Sequence, residues 1–274
     1  MTGILAFALG LVVGSFSNVC IQRWPRGQSV VTPRSRCPEC STPIAWHDNI
    51  PVLSFAVLGG RCRACERAIP VRYPIVELAT GALYWLIAAQ YGVGAEAAKL
   101  AVFAPMMVIL FFTDLKHLIL PNQVTLTGIL VGIGFSLLVP LRPGLAGLGY
   151  QLLGYAPSPQ VVSVSEAVLG SALFAGILVL LAEAFYRMQG VTGLGLGDIK
   201  LVAALVTFHG TYLTLLVLLL ACLLATIVGV AGVMVGAKGW RDPLPLGSYI
   251  SAVALASIFL SDTMLGGYWE LVLR

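Results

Sequence analysis

Residues 101–121 read AVFAPMMVILFFTDLKHLILP. Positions 101–113 carry no charge, and Asp114 closes the run. Such a stretch suits a helix in lipid, where about 20 apolar residues cross the hydrocarbon layer. The same pattern recurs on both sides of it. Of the 274 residues, 58% are apolar and 10% charged, and the mean hydropathy is +0.94. A soluble chain of this length needs far more polar surface. Apolar segments separated by Gly, Pro and charged breaks lie at 2–20, 74–92, 97–113, 123–140, 162–186, 199–210, 212–236 and 246–266. They predict an all-α polytopic membrane protein with about eight transmembrane helices. The first segment lacks a basic leader and an A-x-A cleavage site, so it reads as a retained helix. The sixth is short for a bilayer and is expected to be tilted, partly re-entrant or continuous with the seventh. Three parts follow: a first transmembrane helix (1–20), a polar module (21–73) and a transmembrane domain (74–274).

Lys and Arg set the expected orientation. Eight of the sixteen fall in the polar stretch 21–73: Arg23, Arg26, Arg34, Arg36, Arg61, Arg63, Arg67 and Arg72. With that stretch in the cytoplasm, eight crossings also place Lys116, Arg187, Lys200, Lys238 and Arg241 inside. Only Lys99, Arg142 and Arg274 fall outside, a 13 to 3 bias. The expected arrangement is therefore a multi-pass membrane protein with the polar module in the cytoplasm. The net charge of +4 is then a topology signal. No basic stripe interleaves with aromatics, so nucleic acid is not an expected partner. Membrane lipid is.

The polar module contains CPEC (Cys37, Cys40) and CRAC (Cys62, Cys65), separated by 21 residues. Paired C-x-x-C knuckles at this spacing mark a tetrahedral zinc site. Two disulfides are the alternative, disfavoured in a reducing cytoplasm. Four thiolates leave no open coordination position, which favours a structural metal over a catalytic one. Arg36, Arg61, Arg63 and Arg67 would offset the negative charge of such a centre. Cys20 and Cys222 lie in apolar segments and read as small buried hydrophobes.

Asp114 and Asp198 share a local frame, Asp-Leu-Lys116 and Asp-Ile-Lys200. A carboxylate at a membrane boundary is costly unless something there uses it. Each also has a bland reading. Asp198, after Gly195-Leu196-Gly197, could start a helix as a plain cap. Asp114 could be a hydrated interface group. Residues two apart do not face each other on a helix, so neither lysine is its own aspartate's natural partner. The topology puts both aspartates on the cytoplasmic side. No serine or cysteine sits in a nucleophile setting, and there is no Walker A loop or H-E-x-x-H. Two carboxylates sharing a proton can activate water unaided, so paired-acid hydrolysis is the chemistry these residues allow most directly. A proton- or cation-coupled transporter fits the carboxylates equally well on chemistry, though transporters usually show repeated halves with broken helices at the midplane. A non-catalytic zinc scaffold would leave both Asp-x-Lys elements unexplained. Glu77, Glu183, His47, His117 and His209 each read as interfacial or surface groups, with Glu77 and Glu183 also open to a functional role.

With these motifs in order, the chain resembles the type IV prepilin peptidases, bifunctional leader peptidases and N-methyltransferases of type IV pilus and type II secretion systems. GSFSNVCIQRWP (14–25) is similar to their N-terminal signature. CPECSTPIAWHDNIPVLSFAVLGGRCRAC (37–65) is similar to their tetracysteine module. TDLKHLILP (113–121) and GLGDIKLVAAL (195–205) match the segments that carry their catalytic aspartates. The resemblance implies that Asp114 and Asp198 are the catalytic pair of an intramembrane aspartic endopeptidase. It implies that Cys37, Cys40, Cys62 and Cys65 hold Zn2+. The implied substrate is a prepilin or pseudopilin, cut after a glycine on the cytoplasmic side. Its new N-terminus, typically phenylalanine, is then methylated from S-adenosylmethionine, for which no donor motif is legible. The chain departs from the family at Asn122, where aspartate is common, and PLPLGSYI (243–250) resembles the late Pro-Gly segment only loosely.

Overall fold

The structure is a computed structural model that describes residues 1–190, 193–237, 239 and 242–272, with side chains to 261. Lys238, Trp240, Arg241, Arg274 and the Trp269 side chain lie outside the described residues. The described chain is helical, with two isolated β-bridges and no strand. Its order is α1 (Thr2–Arg23), α2 (Leu53–Val57), α3 (Arg72–Tyr91), α4 (Ala95–His117), α5 (Asn122–Leu138), α6 (Leu145–Leu152), α7 (Pro159–Ser165), α8 (Ser171–Gln189), α9 (Leu196–His209), α10 (Thr211–Met234) and α11 (Leu246–Val272). Each of the eight apolar segments contains a helix. Among the described residues, four stretches are long and apolar enough to cross a membrane by themselves: Thr2–Arg26, Ala95–His117, Pro159–Gln189 and Thr211–Met234. The chain forms two compact units, Met1–Ile109 and Leu110–Arg274.

In the first unit α1 lies against α3. Glycine makes the approach possible. A Cβ at Gly10 would sit 2.7 Å from the Thr80 carbonyl oxygen, and one at Gly14 2.7 Å from the Glu77 Cα. Small residues one turn apart are what allow helix backbones to meet in an apolar medium. The polar module between these helices holds two knuckles built alike. Cys37 N–H donates to Thr42 O, and Ser41 N–H to Cys37 O. Cys62 N–H donates to Arg67 O, and Glu66 N–H to Cys62 O. Ser41 (φ 58°) and Glu66 (φ 57°) take the same left-handed turn after the second cysteine of each pair.

In the second unit α9 is the inner helix. From Ile199 to Phe208 only Lys200 is not buried, and α9 packs on α5, α8, α10 and α11. At 14 residues it is about 21 Å long, short of a hydrocarbon layer of about 30 Å. Gly210 (φ 77°) breaks it from α10, so the sixth segment is not continuous with the seventh. The outer face of α8 carries exposed Leu173, Ile177, Leu180 and Leu181, the face a lipid-bathed helix presents.

The fifth segment is interrupted by a π-turn, Glu166–Gly170. Glu166 is fully buried. Its Oε2 accepts the Ala146 N–H at 2.9 Å, and its Oε1 accepts the Thr211 N–H at 2.9 Å and the Thr211 hydroxyl. One carboxylate therefore caps the starts of α6 and α10, whose first N–H groups have no partner within their own helices. Glycine at 144 leaves room for it, since a Cβ there would overlap the carboxylate. Glu166→Ala strands two buried N–H groups and is expected to destabilise the fold by about 2–4 kcal/mol. Thermal unfolding of purified protein in detergent checks this, with a smaller loss expected for Glu166→Gln.

Candidate active site and metal centre

Asp114 lies one turn from the end of α4 and is 5% exposed. Its Oδ2 accepts the Ser248 N–H at 2.7 Å and faces the Ser248 hydroxyl at 3.2 Å. That hydroxyl also reaches the Phe111 carbonyl at 2.9 Å. Ser248 is in the first turn of α11, so the aspartate meets the positive end of a long helix. Gly247 is required by the approach: a Cβ there would sit 3.1 Å from the Asp114 carboxyl carbon and 2.9 Å from Leu120.

Asp198 is half-buried in the first turn of α9, and its carboxylate turns back to the backbone N–H of Gly195. It therefore does what a helix-starting acid does. It also lies within electrostatic reach of Asp114. The two readings of this residue are compatible rather than rival. The glycine run has a use here as well, because a Cβ at Gly197 would press on Leu120 at 3.1 Å. Lys116 is exposed. The Lys200 ammonium donates to the Asn122 side chain, tying the start of α9 to the start of α5. An aspartate at 122 would make that link an ion pair, and asparagine makes it a neutral-acceptor bond.

The four cysteines Cys37, Cys40, Cys62 and Cys65 converge, with all Sγ atoms within 4.8 Å of one another. Cys37 and Cys65 sulfurs are 3.9 Å apart. A tetrahedral Zn(S)4 site with bonds of about 2.3 Å has sulfur–sulfur edges of roughly 3.8 Å. The cluster thus fits a single zinc ion. Its thiols differ. The Thr42 hydroxyl and amide pull Cys40 down to about 6, and the Cys65 and Ala64 amides lower Cys62. Alone, the Arg67 amide would lower Cys65, but burial and the neighbouring thiols push it up to about 12. Four thiols this close cannot all ionise without a cation among them. Beside the cluster, Arg63 grips Asp48 with two hydrogen bonds, 2.8 Å to Oδ2 and 2.7 Å to Oδ1. That fork holds the Asp48 carboxyl below the usual range.

Other candidates fall out plainly. Exposed Glu183 pairs with Arg187 at 2.8 Å, one turn on, which is the bland reading. Exposed His47 sits 3.8 Å from Asp48 and outside the thiol cluster. Cys20 is fully buried as expected. Cys222 is not: it faces outward on α10, among leucines. Glu77, read from the sequence as interfacial, is 7% exposed and accepts the Val52 N–H at 2.8 Å. Ser248 and Glu166 are missed in a reading of the sequence alone. Glu166 had a signal, an unpaired acid inside the apolar run 162–186. Ser248 had none beyond the Pro-Leu-Gly that precedes it.

The fold and site define a polytopic helical protein with two acids within electrostatic reach of each other and a tetrathiol cluster. The comparisons say which proteins it is similar to. Residues 8–91 match the bacterial peptidase A24 N-terminal domain, and residues 101–230 match the type IV leader peptidase family. A protein of Myxococcus xanthus (strain DK1622) described as prepilin leader peptidase/N-methyltransferase is 40% identical over 88% of this chain and 65% of its own length. One of the same description from Aeromonas salmonicida (strain A449) is 34% identical over 98% of this chain and 94% of its own length. Another, from Bacillus subtilis (strain 168), is 29% identical over 98% of both. No solved structure matches. The chain belongs to the type IV leader peptidase family.

Proposed function

We propose that this protein is an intramembrane aspartic endopeptidase that removes the leader from type IV prepilins or pseudopilins on the cytoplasmic side of the inner membrane, and then N-methylates the new N-terminus. The observation that carries the peptidase reading is the meeting of Asp114 and Asp198 within electrostatic reach, one fixed by Ser248 and the other at the start of α9. Family membership favours this over a transporter that uses the same two acids.

On this reading the two acids have different roles. Ser248 occupies Oδ2 of Asp114 in its acceptor form, which leaves Oδ1 to take a proton from water. That water attacks the scissile carbonyl. Asp198 carries the shared proton, donates it to the carbonyl oxygen, and the tetrahedral intermediate then collapses with protonation of the leaving amine. Ser248 acts through Asp114 as a positioning residue. Ser248→Ala removes one hydrogen bond and is expected to slow cleavage about threefold to tenfold. Ser248→Pro removes the N–H as well, at a helix start where proline is tolerated, and is expected to slow it about a hundredfold.

The cysteine cluster would hold one structural zinc through Cys37, Cys40, Cys62 and Cys65, with the module 21–73 in the cytoplasm. S-adenosylmethionine supplies the methyl group in the second half-reaction. The first unit has space for it in a cavity of ≈ 1010 Å³, whose lining includes the polar side chains of Arg23, Asp48, Asn49 and Arg63. The deciding experiment is mass spectrometry of a prepilin co-expressed with this protein. The expected product has lost its leader after a glycine and gained the mass of a single methylation on the new N-terminus. An uncut prepilin overturns the reading.

A further inference from the structure

The zinc chemistry leaves one end of the first unit's cavity unexplained. Ser15 and Asn18 reach it from α1, and Glu77 from α3. The glycine contact between these helices brings the three together, since a Cβ at Gly14 would touch the Glu77 backbone. Asn18 is 1% exposed. Its Nδ2 donates to the Tyr73 carbonyl at 3.0 Å, while its Oδ1 is buried with no partner. Glu77 accepts the Val52 N–H through Oε2 and a hydrogen bond from Ser15. A buried acceptor without a donor costs free energy until something supplies one. Asn18, with its orphaned amide oxygen, and Glu77, with its carboxylate, line one cavity, and both groups are acceptors. What completes them is a ligand group with several N–H donors and a positive charge.

Granted the prepilin-processing reading above, we infer that Asn18 and Glu77 hold the α-ammonium group of the cleaved substrate, and that Glu77 takes its proton before methyl transfer. Two cationic groups could supply this chemistry, the substrate amine and the ammonium of the methyl donor. Position favours the substrate. Asn18 and Glu77 stand on the apolar helices α1 and α3, surroundings that suit the apolar residue bearing the substrate amine. The donor is water-soluble and suits the polar lining of the cavity, which includes Arg23, Asp48, Asn49 and Arg63. The step balances without a further reactant. The ammonium gives a proton to the Glu77 carboxylate. The freed nitrogen lone pair forms the N–C bond to the donor methyl, and the C–S bond pair returns to sulfur, leaving a neutral thioether. The product is the methylated ammonium.

The test uses the full-length protein in detergent. The probe is a synthetic apolar peptide that begins with phenylalanine, with a free amine or N-acetylated. In the native protein the free-amine peptide is expected to bind about tenfold tighter, the worth of a hydrogen-bonded charge pair. Glu77→Gln keeps an oxygen for Val52 and is expected to bring the two affinities within a factor of about two. It is also expected to lose methylation while prepilin cleavage and affinity for the donor analogue sinefungin stay within a factor of about two of the native values. Glu77→Asp is expected to restore part of the amine preference. An unchanged amine preference in Glu77→Gln overturns the inference, and so does loss of sinefungin binding, which would give Glu77 to the donor. Native protein that cleaves prepilin but shows no amine preference sinks this inference alone. Native protein that cuts no prepilin sinks the underlying reading.

Discussion

Asparagine in place of Asp114 or Asp198 is expected to lower prepilin cleavage by on the order of 10³-fold or more, and to leave the protein folded and inserted. The size follows from the chemistry. The Asp114→Asn variant keeps an oxygen for the Ser248 N–H, so the α4–α11 contact survives. What is lost is the ability to take a proton from water. The Asp198→Asn variant likewise keeps an acceptor for the start of α9 but has no acidic proton to give. Because the two acids act as one unit, the double variant is expected to be little worse than either single one. Cleavage rates on purified prepilin, read alongside thermal unfolding, check both statements. Full cleavage by either single variant would refute the paired-acid mechanism.

The second large effect concerns the metal. The purified protein is expected to carry one zinc per chain, by elemental analysis, and Cys37→Ser or Cys62→Ser to carry close to none. The module 21–73 has small 3-10 turns, one five-residue helix and few buried apolar side chains. It cannot support itself by burial. Zinc in comparable small sites contributes about 10–16 kcal/mol at neutral pH, most of which goes into folding. Removal should therefore open this segment to proteolysis while α5 and α8–α11 persist. Parallel loss of cleavage, methylation and module structure marks the metal as structural. Two disulfides and no zinc in a non-reduced mass spectrum would overturn the assignment.

Much of this architecture was legible because lipid leaves few choices. A run such as 101–113 has to be a helix, and a carboxylate at its end has to be used or hydrated. Pro121 and Gly210 break the chain where their backbone preferences say they should. The C-x-x-C pairs announced their own convergence. Less was legible where the determinant is a pairing between distant segments. The Ser248–Asp114 bond joins residues 134 apart, and neither the serine nor its neighbours are unusual. Glu166 was visible as an acid in an apolar run, but its two partners, at 146 and 211, could not be named without the fold. The likeness of the two knuckles lies in backbone hydrogen bonds, while the intervening side chains differ. Segment 162–186 reads as one apolar run, yet the structure turns it through a π-turn to free Glu166.

The shortness of α9 has a consequence for how the enzyme is made. A 14-residue helix does not span lipid alone, and this one is enclosed by α5, α8, α10 and α11. It gains its place only when those neighbours are present, and α10 and α11 are synthesised after it. Asp198, in its first turn, therefore reaches Asp114 late in biogenesis. Ser248, which aligns Asp114, is later still in the chain. On the proposed mechanism, a half-made chain thus has no assembled acid pair and is expected to hydrolyse nothing until its last helices are inserted.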